Sequence, residues 1–279
     1  MRLTGLNVHP VKSTAIRPLG EAVVLRSGLA DDRSWVVVDA DGVLVCARKE
    51  HSLFTITADT PATDRSVTQG LRLRAAGLDD LTVQEPTGPL VRARVHKHEL
   101  QGVPAGPEAD AWVSKALGRD GLRLVWCDDP SRRGLNPEFS SPGDHTAFAD
   151  GYPVTIASEA SLLQLNRWID ERRIEEGEAP QDPLPMLRFR PNLVVDGDEP
   201  FAEDRWSRVR VGGVGFRVAK KVDRCVMTTL DPETLRTARE PVRTLARHRL
   251  FDGLPMFAMF LIPETTGLIR TGDPVEVTG

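Results

Sequence analysis

Cysteine is scarce in this 279-residue chain, which has only Cys46, Cys127 and Cys225. No two of them form a CxxC pair, so zinc-ribbon and iron–sulfur spacings are absent. An odd, sparse count fits a reducing compartment. No run approaches the ~20 apolar residues of a membrane span. The opening segment, Met1 to Pro10, lacks a basic stretch followed by an apolar one, so no signal peptide is apparent and a cytoplasmic location is expected. GxSxG, HExxH and Walker patterns are missing too. Positive charge is not in excess: the formal net charge is -4 and the pI about 5.9. That excludes a general nucleic-acid binder. Any anionic ligand must be held by a local cluster of Arg and Lys.

With 40% hydrophobic and 27% charged residues, the composition is that of an ordinary globular protein. Its length suits one large unit or two and allows a large core without staples. The first hundred residues read as short strands: 3–11, 21–25, 53–57, 71–74, 81–84 and 91–95. Runs 34–39 and 43–47 flank Asp39-Ala-Asp-Gly42, a hairpin signal. The period then changes. Ala109, Trp112, Val113, Ala116 and Leu117 share one helical face, with Pro107 in the first turn and Gly118 at the stop. A soft boundary near Gly121 divides the chain into residues 1–121 and 122–279.

Beyond it, strands are expected at 122–126, 153–157, 192–195, 226–230 and 256–262. A hairpin forms around Gly212-Gly213. A helix opens at Ser158, with Leu162, Leu165, Trp168 and Ile169 on its apolar face, and a short helix spans 241–249. Residues 130–145 read as a long polar loop, a place where function often sits. Many short strands with few helices give an α+β, mainly β fold: a β-barrel core with a few peripheral helices.

The run Lys220-Lys-Val-Asp-Arg-Cys225 places a thiol among cations, and nearby positive charge favours the thiolate that attacks or binds metal. Spacing alone favours a small buried core residue at a strand start. Lys12-Ser13, Arg33, and Arg188 with Arg190 ahead of Pro191-Asn192 offer forked donors, point charge and amide contacts for a phosphorylated ligand. Each taken singly reads as a solvated charge. Cys46 and Cys127 read as packed strand residues, and His96 with His98 as an exposed pair on one face of a strand. Val211-Gly-Gly-Val-Gly215 lacks GxGxxG spacing and reads as a turn.

Eight blocks, in order, resemble the MOSC family (named for the molybdenum cofactor sulfurase C-terminal domain). They are Val8-His-Pro-Val-Lys-Ser13, Gly28-Leu-Ala-Asp-Asp-Arg-Ser-Trp35, Ala47-Arg-Lys-Glu50, Ser158-Glu-Ala-Ser-Leu162, Phe189-Arg-Pro-Asn-Leu193, Phe201-Ala-Glu-Asp-Arg-Trp206, Asp223-Arg-Cys225 with Thr228-Thr-Leu-Asp-Pro232, and Gly272-Asp-Pro-Val275. The chain is most similar to the branch with a MOSC N-terminal β-barrel domain, and within it to the amidoxime-reducing components and their bacterial relatives.

That resemblance implies a MOSC-type β-barrel domain plus a smaller β-rich N-terminal domain. It implies a molybdenum cofactor, molybdopterin carrying Mo, with Cys225 as the metal's ligand. Arg224 and Asp223 would act beside it. Lys12, Ser13, Arg33, Asp150, Gly151, Arg190, Asn192 and Arg224 would bind the cofactor. Relatives have an Asp-Thr pair where this chain has Asp150 and Gly151, so the second contact can only be backbone. Many have a serine where Asp223 stands. Pyridoxal phosphate binding is a further family association.

The implied reaction is two-electron reduction of small N-oxygenated substrates. Electrons would come from a separate ferredoxin, flavoprotein or cytochrome, because a plant-type ferredoxin pattern is missing. No nucleic acid or membrane is expected as partner. A persulfide carried on Cys225, or cofactor carriage without turnover, are the alternative functions.

Overall fold

The computed structural model describes residues 1–279. Alternation of buried and exposed residues in Arg208–Val211 marks a half-covered strand, and nearly continuous burial of Met256–Pro263 marks a central one. Both belong to a nine-stranded sheet. Its order is Val275–Val277, Arg208–Val211, Val214–Asp223, Leu254–Pro263, Val154–Ser158, Leu193–Val195, Leu3–Val8 and Arg17–Pro18, with Leu250–Phe251 pairing Leu254–Pro263 off this path. Val154–Ser158 and Leu193–Val195 run parallel, which demands a crossover. Helix α2, Glu159–Glu175, supplies it.

A second sheet holds Trp35–Val38, Arg123–Trp126, His98–Pro104 and Val91–Val95 in that order. A three-stranded sheet, Thr57–Asp59, Leu71–Arg74 and Leu81–Val83, shares its core. Helix α1, Pro107–Leu117, covers that core with Ala109, Val113 and Leu117. Its stop is Gly118 at φ +60°, a conformation glycine adopts without steric cost. Helix α3, Val242–His248, is short and packs on Leu254–Pro263. The fold is α+β and mainly β, as the pattern of short strands predicts.

Most of the first 29 residues pack away from the N-terminal sheets, although Val11 bridges Trp35 and stays in their core. Leu3, Leu6, Val8, Ala22, Val24 and Leu29 pack in one core with Val154, Leu193, Phe216, Leu261 and Val275. The chain therefore starts in the C-terminal sheet and returns to it after residue 150. Residues joining the two halves at this crossing become neighbours.

Several expected strands take other forms. Val226–Thr229 is a 3₁₀ turn, because the Thr228 and Thr229 hydroxyls donate back to the Cys225 and Val226 carbonyls at 3.0 and 2.7 Å. His51–Thr55 turns in the same way, with Thr55 donating to the Ser52 carbonyl. After isolated bridges at Val43 and Leu44, the expected strand 43–47 gives way to a turn in which the Lys49 and Glu50 amides donate to the Cys46 carbonyl. His96 lies in a hairpin turn at φ +54°, so it and His98 do not share a strand face. No helix is long and apolar enough to cross a membrane.

Candidate functional site

Three short segments meet where the chain crosses between its halves. Lys12 and Ser13 follow the first strand, fixed by the Lys12 amide donating to the Trp35 carbonyl at 2.8 Å. Arg33 is held by its own amide on the His9 carbonyl. Arg190 ends the 3₁₀ turn Met186–Phe189. Ser13, Arg33 and Arg190 have φ of +72°, +50° and +51°. Left-handed backbone at bulky residues costs energy and persists where surroundings over-determine it, which is common around binding sites.

These residues line a cavity of about 390 Å³ together with Asp150, Gly151, Asp223, Arg224 and Cys225. Its charge opposes that of the whole chain. Lys12, Arg33, Arg48 and Lys97 come from the N-terminal half, and Arg188, Arg190, Lys220 and Arg224 from the C-terminal half, against only Asp150 and Asp223. The expected local cluster of cations is therefore present in an acidic protein.

Several of these cations carry little neutralising contact. Burial, then the like charge of Arg33, pushes Arg190 down to about 9. Its Nη2 donates only to the Thr14 carbonyl, at 2.7 Å, and its guanidinium lies 5.0 Å from the Phe54 ring centre. Burial likewise pushes Arg224 down to about 10, offset in part by Cys225, Asp223 and Asp150. Arg224 Nη2 donates to the Phe189 carbonyl, while its buried Nε has no partner. Burial also lowers Lys12, although Asp150 opposes the shift.

Asp150 joins the halves. Its Oδ1 accepts from Lys12 Nζ at 2.5 Å and is hydrogen-bonded to His96 Nε2 at 2.9 Å. Lys12 and His96 hold its carboxyl well below the usual range. Its backbone is anchored from the polar loop. Buried Arg133 donates to the carbonyls of Ala147, Ala149 and Asp150. Burial lowers Arg133 to about 10.

Asn192 stands apart from the other expected cofactor contacts. It is fully buried and does not line the cavity. Its Oδ1 accepts from Arg33 Nη1 at 3.2 Å and from Thr155, and its Nδ2 donates to the Asn7 carbonyl. Its place is behind Arg33. Asp32 sits there too, accepting from Arg33, from the His9 amide at 2.8 Å and facing His9 Nδ1 at 3.1 Å. Gly151 does line the cavity, where an added Cβ would meet only the Phe260 ring at 3.5 Å.

Arg48 is the main residue sequence reasoning missed as a site residue. Burial works against its charge, but Cys225, Asp150 and Cys46 outweigh it, so its guanidinium is held above its ordinary value. The signal was available in the block Ala47-Arg-Lys-Glu50. Cys46, expected as a packed strand residue, also lines the cavity, as does His96. Both sit on the turns that replaced expected strands, and turns re-aim side chains. All three cysteines are free.

The donor set fits an anionic, phosphate-bearing ligand: eight cations against two carboxylates and an unpartnered buried guanidinium nitrogen. There is no group of three or more His, Cys, Asp or Glu able to hold a bare metal ion. A metal held by Cys225 would therefore need its other ligands from a carrier molecule. A thiol set among arginines on the wall of a cationic cavity, shared by two β-rich halves, is the arrangement expected of the MOSC class.

Comparison with known proteins agrees. Residues 143–276 match the MOSC domain and residues 1–120 the MOSC N-terminal beta barrel domain, so the chain belongs to the MOSC family in the branch that carries both. It is similar to mitochondrial amidoxime-reducing component 1 of Mus musculus, 34% identical over 98% of this chain and 81% of that protein. The Homo sapiens component 1 is 32% identical over the same shares. Mitochondrial amidoxime reducing component 2 of Bos taurus is 33% identical over 97% of this chain and 78% of that protein. None of these descriptions speaks to the expected pyridoxal phosphate binding.

Proposed function

We propose that this protein is a cytoplasmic molybdenum-cofactor oxidoreductase that reduces N-hydroxylated compounds, with Cys225 as the metal's protein ligand. The carrying observation is the meeting of Cys225 with cations from both halves in one cavity. Names of relatives as amidoxime-reducing components support the reaction class. Three free cysteines suit a reducing compartment.

In this reading Lys12, Arg33, Arg190 and Arg224 bind the cofactor's anionic groups, and Ser13 and Gly151 line the wall beside them. Arginine suits phosphate through its fork of donors. Asn192, His9 and Asp32 position Arg33 from behind. Arg48 and Arg224 stand on the same cavity wall as Cys225. Asp150 fixes Lys12 and His96 at the junction. When bound, the molybdenum cofactor supplies a two-electron redox centre, while the protein supplies ligand, orientation and field. The net reaction takes an N–OH group, two electrons and two protons to N–H and water. A separate redox protein delivers the electrons. The division of labour follows the two family matches, with the boundary proposed near residue 121.

The test is turnover. Protein prepared with its cofactor and given a chemical reductant should convert benzamidoxime to benzamidine. Tight cofactor binding with no conversion of any N-hydroxylated compound would mark a carrier instead.

A further inference from the structure

Among the ten charged Lys, Arg and Asp side chains on the cavity wall, Asp223 is unlike the rest. The other carboxylate, Asp150, is saturated by Lys12 and His96. Asp223 is exposed and enters no hydrogen bond or ion pair, although it ends the strand that leads straight into Arg224 and Cys225. Its backbone is fixed. Asp223 pairs with Met256 across the sheet, and the next amide, that of Arg224, donates to the Pro255 carbonyl at 2.8 Å. The carboxylate is thus held at the rim while Arg224 turns inward to the Phe189 carbonyl.

An unpaired carboxylate in a ring of cations opposes anion binding, so it does not serve the cofactor's anionic groups. It suits a ligand with positive charge. Planar amidinium and guanidinium groups present two parallel N–H donors, the geometry that a carboxylate accepts bidentately. The neighbouring wall residues Val222, Met227 and Phe260 offer apolar surface for the remainder of such a molecule.

We propose that Asp223 is a specificity residue that selects cationic N-hydroxyguanidine substrates over neutral N-hydroxylated compounds of the same shape. The inference rests on the function proposed above and adds a substrate preference to it. Because Asp223 is exposed, the effect is that of a screened ion pair, about fivefold in affinity, and it weakens with salt.

The experiment uses molybdenum-loaded protein and its Asp223→Asn and Asp223→Ser variants, with metal content measured for each. Two isosteric probes, benzamidinium and benzamide, are titrated calorimetrically. In parallel, kcat and KM are measured for an aryl N-hydroxyguanidine and the matching aryl hydroxamic acid. The proposal expects wild-type protein to favour benzamidinium over benzamide. Both variants should lose about fivefold for the cation, with a larger change in KM than in kcat. The cation-to-neutral ratio should then fall towards one. An unchanged ratio, or equal losses for both probes, overturns the role of Asp223. Loaded wild-type protein that reduces neither substrate overturns the proposed function, and the calorimetric ratio still reports on Asp223 alone.

Discussion

Lys12 Nζ and Asp150 Oδ1 lie 2.5 Å apart, joining residues 138 positions distant in sequence across the wall of one cavity. The ammonium is buried and the carboxylate half-exposed. Removing the cation leaves Asp150 with only His96. Lys12→Met should cost about 1–2 kcal/mol in urea unfolding, less than a fully buried pair because Asp150 meets solvent. The same variant should retain less cofactor than wild type through purification, read as pterin fluorescence after release.

Acid should unfold the protein through His9 and Asp32. Burial, then Arg33 and Arg190, lowers His9 to about 3. Below about pH 6.5 the unfolded chain takes up a proton at this residue that the folded chain refuses. Stability therefore falls as pH drops from about 6.5 towards 3. Burial alone would raise Asp32, but Arg33 and His9 hold it below the usual carboxylate range. Its contribution is present above the unfolded carboxylate value and is lost on further acidification, the same direction. His9→Gln should flatten the upper part of the curve of unfolding free energy against pH. An unchanged slope between pH 6.5 and 4 would contradict this.

Arg190 and Arg33 should make the metal-free protein an anion binder. Pyrophosphate at millimolar concentration should raise its melting temperature, since a ligand of the folded state stabilises by mass action. Arg190→Met should remove most of that rise, and added salt should weaken it. Equal stabilisation of the variant would place the anion elsewhere.

Arg133 tests the anchoring of the Asp150 segment. Its guanidinium satisfies three backbone carbonyls, which Arg133→Met would leave without donors. The expected loss is about 1–3 kcal/mol. Hydrogen exchange should increase at residues 147–151 more than elsewhere.

Much of this site could be read in the sequence because its residues sit in compact blocks. Lys12 with Ser13, Arg33, Arg190 and Arg224 with Cys225 each lie inside a short recognisable run, and the structure brings them to one cavity. Helix α1 was equally legible, because its apolar period and the glycine stop agree. Arg48, Cys46 and His96 were not picked out as site residues. Their positions depend on turns closed by backbone hydrogen bonds, and local β-propensity reads those segments as strands. The Phe189-Arg-Pro-Asn192 block places Arg190 and Asn192 together, yet Arg190 lines the cavity while Asn192, two residues on, is buried behind Arg33. The pairing of Leu3–Val8 with Leu193–Val195 is long-range, and no local pattern encodes it.

The central claim is that Cys225 binds molybdenum, and metal analysis tests it most directly. Cys225 is only partly buried and free, so replacing it with alanine should leave folding intact, checked by an unchanged unfolding midpoint. Protein made in a host that synthesises the cofactor should carry about one molybdenum per chain, and Cys225→Ala much less. Equal molybdenum in both proteins, or none in the wild type, would contradict the account.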